Sequence, residues 1–147
     1  MLLLALGCIT TPIDDIEVSE AWLTNVSLAG VGIYTDRVWG DGTLHVVYAE
    51  DGREVIIPTT LSGSGYGVLL TAVTLTTERV DLGFEGVVTG DAIFGEYVGG
   101  RLGAAFVAGL SRTDLTNDAG VHLLIEEQAW GLELFAGLAF LNVEPLK

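Results

Sequence analysis

The sequence predicts a mainly β protein, a small antiparallel barrel of about seven or eight strands with one short helix before the last strands. Three observations carry this expectation. Glycine is abundant, 20 of 147 residues, while proline numbers only three, a balance that suits strands broken by turns and neither disorder nor a collagen repeat. Apolar runs are short and separated by turn formers. Residues 79–85 alternate strictly, with Val80, Leu82 and Phe84 on one face and Arg79, Asp81 and Glu85 on the other. A period of two with charges on one side is the pattern of a half-buried antiparallel strand facing water.

The elements follow in order. Thr10-Thr11-Pro12 leads into Ile13-Asp14-Asp15-Ile16-Glu17, which reads either as a helix start or as a short acidic tether. From Ala21 the pattern is β. Residues 22–34 are rich in Val, Leu and Ile, with Gly30 and Gly32 at points of bend or close backbone approach. Gly40-Asp41-Gly42 reads as a turn between Val38-Trp39 and residues 43–48. Asp51-Gly52, flanked by apolar runs, is a strong hairpin signal. Ser62-Gly63-Ser64-Gly65 closes the next strand and opens residues 66–77.

Residues 90–100 break the β pattern. Asp91 is placed to cap a helix, Ile93, Phe94 and Tyr97 share a helical face, and Gly99 or Gly100 ends it, predicting one or two helical turns. Strands resume over residues 101–109, 120–126 and 130–143, with Asp114, Asn117, Asp118 and Gly120 as turn formers between them. Nothing marks a domain boundary after residue 20. The chain divides into an N-terminal segment 1–8, a tether or short helix 9–20, and one β domain over 21–147, a length that builds a real core.

Composition excludes several functions. Twenty acids against six Lys and Arg give a net charge of −14. That field repels phosphate backbones, so no nucleic-acid partner is expected, and it opposes polybasic attachment to anionic lipid headgroups. No apolar stretch reaches the ~20 residues of a spanning helix.

The one cysteine, Cys8, follows Leu2-Leu3-Leu4-Ala5-Leu6-Gly7. An apolar run ending in small residues before Cys resembles the lipobox of bacterial lipoproteins, whose signal segment is cut before the cysteine and whose sulfur is acylated. The resemblance implies Cys8 as a lipidation site and an exported protein anchored in a membrane of the bacterial cell envelope, facing the periplasm. A leftover thiol in an oxidising compartment would be consumed by that modification. The basic n-region of a secretory signal is missing here, and Ala5 stands where Leu is usual. The alternative is that residues 1–9 form a buried first strand with Cys8 as a small hydrophobe.

A second resemblance concerns the β domain. Trp39-Gly40-Asp41-Gly42-Thr43-Leu44, Ile57-Pro58-Thr59-Thr60, Ser64-Gly65-Tyr66-Gly67-Val68, residues 91–100, Leu102-Gly103-Ala104-Ala105 and Gly131-Leu132-Glu133-Leu134-Phe135-Ala136-Gly137-Leu138 together resemble the SYLF lipid-binding domain family and related exported envelope barrels. The match covers roughly residues 30 to 143 and rests on small residues and strand patterning. It implies a compact envelope barrel. Phosphoinositide binding does not carry over, because Asp14, Asp15, Glu17 and Glu20 stand where that activity needs basic residues.

Catalytic constellations are not found. His45 and His122 lie within strand patterns and read as structural, with no converging ligands for a metal. Ser62, Ser64 and Ser111 lack a nucleophile elbow, and Ser64 reads as a turn residue. Glu126 and Glu127, adjacent on a strand, point to opposite faces and cannot share a site; solvated charge accounts for them. Residues 114–120 lack the spacing of a calcium loop, and the glycines at 63–67 and 99–100 lack the Lys-Ser/Thr of a phosphate loop. The expectation is a non-catalytic envelope lipoprotein with no cofactor, whose barrel binds a lipid-like ligand or an envelope partner. The alternative from another class is an integral eight-stranded outer-membrane barrel.

Overall fold

The computed structural model describes residues 16–146. Among them the chain is almost wholly antiparallel β: β1 (Val18–Tyr48), β2 (Glu54–Phe84), β3 (Gly95–Thr116) and β4 (Val121–Pro145), in one sheet of order β1-β2-β4-β3. Four long strands stand where seven or eight short ones were expected. The difference lies in glycines read as turns. Gly40-Asp41-Gly42 falls inside β1, and Ser62-Gly63-Ser64-Gly65, with Ser64, falls inside β2. Residues 120–126 and 130–143 join as β4.

These glycines serve close approach instead of reversal. A Cβ on Gly40 would overlap the carbonyl of Ser27, and one on Gly99 would overlap that of Asp114. Each edge strand therefore doubles back on itself. Just beyond the ends of β1 the Ala49 amide donates to the Glu17 carbonyl at 3.1 Å, and within β1 the Ser19 hydroxyl donates to the Val47 carbonyl at 3.1 Å. The apex of β1 is Tyr34 and that of β3 is Val107, both at positive φ (67° and 77°), a region β-branched and bulky residues enter only under constraint. Opposite Val107 on β4 lies Gly131, φ 128°. Along β2 the register with β1 shifts between Ile33 and Thr35, so β2 arches around the β1 apex as β4 arches around that of β3.

The predicted turn at Asp51-Gly52 is present, with Gly52 at φ 71° and its amide on the Tyr48 carbonyl at 2.9 Å. So is the turn after Asn117, whose side chain accepts from the Ala119 and Val121 amides at 3.0 Å. The predicted helix over 91–100 shrinks to a single 3-10 turn, Gly90–Ile93. From Gly95 the chain is strand, because Tyr97 alternates inward between outward Glu96 and Val98 and seals the core by donating its hydroxyl to the Ile93 carbonyl at 2.5 Å. Of the 9–20 segment, Glu17 bridges to Thr89 and residues 18–20 open β1. The alternation of residues 79–85 holds, with Val80 buried and Arg79, Asp81 and Glu85 exposed.

The apolar core lies between the strand ends away from the apices. Leu23, Leu44, Leu61, Ile93, Leu123 and Ile125 are fully or almost fully buried there. Side chains of this kind each contribute roughly 1.5–3 kcal/mol on burial.

Candidate functional site

Toward the apices the interior changes character. Arg101 from β3 is buried and donates to Asp36 Oδ2 of β1 at 3.0 Å and to Glu133 Oε2 of β4. Its guanidinium also lies over the Phe135 ring, 4.6 Å from the centroid. Glycines leave room for the cluster: a Cβ on Gly65 would meet Phe135 and Asp36, and one on Gly103 would meet Glu133. Among the described residues, three buried carboxyl groups, Asp36, Glu127 and Glu133, stand with the one buried cation, Arg101. Buried charges demand such pairing, since an isolated one is costly.

The pairing is incomplete. Glu127 is 2 % exposed, and its Oε2 has no hydrogen-bond partner. Burial pushes its carboxyl up to about 8, with Arg101 pulling it down and Glu133 adding a further push upward. Burial also raises Glu133, opposed by Arg101 and by the Ser111 hydroxyl. That hydroxyl neighbours Glu133 without being aligned for a full hydrogen bond. At neutral pH the Glu127 group is therefore largely protonated, an acid held uncharged inside a β structure.

Glu127, Ser111 and Phe135 border an open groove of about 1470 Å³ to which all four strands contribute, its rim formed by exposed residues such as Leu102, Leu110 and Leu134. It sits where the β2–β4 ladder is interrupted between Thr76 and Leu82, beside Asn25 of β1, whose φ is 52°. Polar groups converging on a largely apolar groove beside a perturbed carboxyl are the usual physical marks of a binding site.

The outer surface around the apices is inverted in the same way. Over residues 26–38, 62–77, 97–111 and 128–143 the sequence holds four charged residues; Asp36, Arg101 and Glu133 point inward, and Arg37, three residues from the Tyr34 apex, is exposed. Outward stand Ile33, Tyr34, Leu102, Phe106, Val107 and Leu110, with Phe106 83 % and Val107 76 % exposed. Trp39 and Trp130 are half-exposed on the same half.

The residues singled out from sequence are placed otherwise. Cys8 lies outside the described residues. His45 stacks on Trp22, 5.1 Å between centroids, and its ring nitrogens meet Thr24 at 2.9 Å and Glu54 at 3.0 Å. His122 lies 3.3 Å from Glu85. Neither histidine lines the groove. Ser62 is exposed on β2 and Ser111 is buried in the cluster. Glu126 and Glu127 do point to opposite faces, but Glu127 is buried and not solvated. Among the described residues no group of acids, His or Cys is arranged to hold a metal ion, and no helix is long and apolar enough to cross a membrane.

The cluster itself was missed. Its signal was present as single charges inside apolar runs: Arg101 before residues 102–110, Glu133 within residues 131–141, each in phase with inward-facing neighbours. Compared with known proteins, the chain matches no family model, no curated protein and no solved structure.

Proposed function

We propose that this chain is a non-catalytic, membrane-associated β-barrel domain that seats its arched half in one leaflet of a bilayer. The observation that carries the reading is the inversion: along the segments that form the apices, Asp36, Arg101 and Glu133 are turned inward, Arg37 alone is exposed, and the outward face is largely apolar. Water-facing β domains expose such patches rarely, and large ones mark interaction surfaces. A bilayer is the occupant that fits, because both apices are themselves uncharged. Ile33-Tyr34-Thr35 and Phe106-Val107-Ala108 would emerge into water if the strands spanned both leaflets. From outward-facing Arg112 to Val107 is five residues, about 16 Å along a strand, close to half the ~30 Å hydrocarbon core.

Hydrocarbon requires every backbone group to be paired. In this reading the four strands make an eight-pass barrel, each edge strand covering its own outer edge by doubling back, as the backbone contacts of Gly40 and Gly99 support. Trp39 and Trp130 are the kind of residue that settles at the interface. The lipid-related role implied by the SYLF resemblance is kept, and acylation at Cys8 would add an anchor to an envelope membrane.

Flotation of the full chain with phosphatidylcholine vesicles tests this. Co-flotation is expected, insensitive to salt and weakened by phosphatidylglycerol because of the −14 charge. A chain that remains with the aqueous fraction, whether as a monomer or as an oligomer covering this face, overturns the reading.

A further inference from the structure

We infer that Thr24 is an acyl-acceptor site, its hydroxyl giving its proton to His45 as it attacks a carboxylic ester while Glu54 holds the imidazole in place. The inference goes beyond membrane seating and does not rest on it. It concerns one acyl transfer onto the chain, a modification of Thr24 without turnover. Thr24 Oγ1 lies 2.9 Å from His45 Nε2, and His45 Nδ1 lies 3.0 Å from Glu54 Oε2. The three residues are 21 and 9 positions apart. Only the doubling back of β1, with the turn that pairs Val47 with Glu54, brings them together. Thr24 is half-buried and the His45 side chain 17 % exposed, so the pair is sheltered yet within reach of a ligand.

The atoms stand in the order that activates a nucleophile: hydroxyl, imidazole, carboxylate. A carboxylate only accepts, so Glu54 places the imidazole proton on Nδ1. In the neutral ring Nε2 is then the acceptor for the Thr24 hydroxyl. Trp22 fixes the plane of that ring, stacked on it with centroids 5.1 Å apart and planes within 3°. Arg79, paired with Thr24 across the β1–β2 ladder, lays its guanidinium over Trp22, 4.7 Å from the centroid. Directly paired side chains start about 5 Å apart, which puts this cation where a carbonyl oxygen would gain charge during attack on the ester. Arg79 Nε donates to Asp81 at 2.8 Å, so its terminal nitrogens are the ones that remain for that oxygen. Asn25 and Arg79 also line the open groove, which gives the substituents of an ester a place beside Thr24.

The step balances within these groups. A bond forms between Thr24 Oγ1 and the ester carbonyl carbon as His45 Nε2 takes the hydroxyl proton. The bond from that carbon to the ester's leaving oxygen then breaks, and the imidazolium passes its proton to the departing oxygen. Thr24 ends as an acyl ester, His45 returns to its neutral form, and an alcohol or phenol leaves.

The experiment is incubation of the full chain with excess para-nitrophenyl acetate, quenched in acid, with acetylated sites located by peptide mass spectrometry. Thr24 is expected to gain an acetyl group about 100-fold or more faster than Thr60 and Thr74, exposed threonines of the same sheet. Thr24→Ser should keep the adduct at position 24. His45→Gln should slow its formation about 100-fold or more, and Glu54→Asp, which still accepts from the ring, should keep more of the rate than Glu54→Gln. His122→Gln, which removes an imidazole beside Glu85 but away from Thr24, should change nothing. Urea midpoints of the variants close to that of the wild type separate loss of the base from misfolding. An unacetylated Thr24 in the wild-type chain, acetylation no faster than at Thr60 and Thr74, or an unaltered rate in His45→Gln each overturns the inference.

Discussion

The two halves of this antiparallel sheet are built from the same four strands on opposite rules. Away from the apices, Leu23, Leu44, Leu123 and Ile125 point inward, and the outer face carries exposed Glu20, Asp41, Asp81 and Glu126. Around the apices, Asp36, Arg101, Glu127 and Glu133 point inward while Phe106, Val107 and Leu110 point out. Secondary structure is identical in both, so neither propensity nor hydrogen bonding distinguishes them. What differs is where charge and apolar surface are placed. The first half is held by apolar burial. The second is held by a charge network whose members stabilise one another only while complete.

Breaking the network should have the largest effect. Arg101→Met leaves Asp36 and Glu133 buried without their cation, and a loss of about 3–5 kcal/mol is expected on chemical denaturation. Adding Glu133→Gln should recover part of it. An Arg101→Met protein as stable as wild type would show that the inner charges are not coupled as their geometry implies.

Next comes the outer face. Phe106→Asp should weaken vesicle binding by about 2–3 kcal/mol, or some 30- to 160-fold, with little change in folding because the side chain is 83 % exposed. Ile56→Asp, also exposed but on the acidic half, should leave binding almost unchanged. Equal losses from the two would erase the distinction between the halves.

The last effect concerns pH. Glu127 has a folded value near 8 against an ordinary 4.5, so between these values the native state binds the extra proton. Stability should therefore fall as pH rises from about 5 to about 8, and level off above pH 8. Glu127→Gln should flatten that slope, as read by urea midpoints across the range.

The sequence made part of this legible. Alternation over residues 79–85 and the turns at Asp51-Gly52 and after Asn117 depend on local chemistry, and they stand as expected. Gly40 and Gly63 were misread because a glycine that admits a neighbouring backbone looks, in sequence, like a glycine that turns the chain. Tyr97 was misread because spacings of three and four fit a helix, while its inward alternation becomes evident only beside Glu96 and Val98. The cluster stayed hidden because Asp36, Arg101 and Glu133 are separated by 65 and 32 positions. Only the strand pairing brings them together. Even so, a lone charge inside an uncharged run of strand is readable as an inward-facing group.

Depth in the bilayer tests the central claim most directly. A single cysteine at position 106 (Phe106→Cys) or 81 (Asp81→Cys), placed in a Cys8→Ser chain and labelled with an environment-sensitive fluorophore, can be exposed to phosphatidylcholine vesicles with brominated acyl chains. The label at 106 should shift to the blue and be quenched by acyl-chain bromine, while the label at 81 should keep its aqueous spectrum. Aqueous spectra at both positions with vesicles in excess would contradict the account.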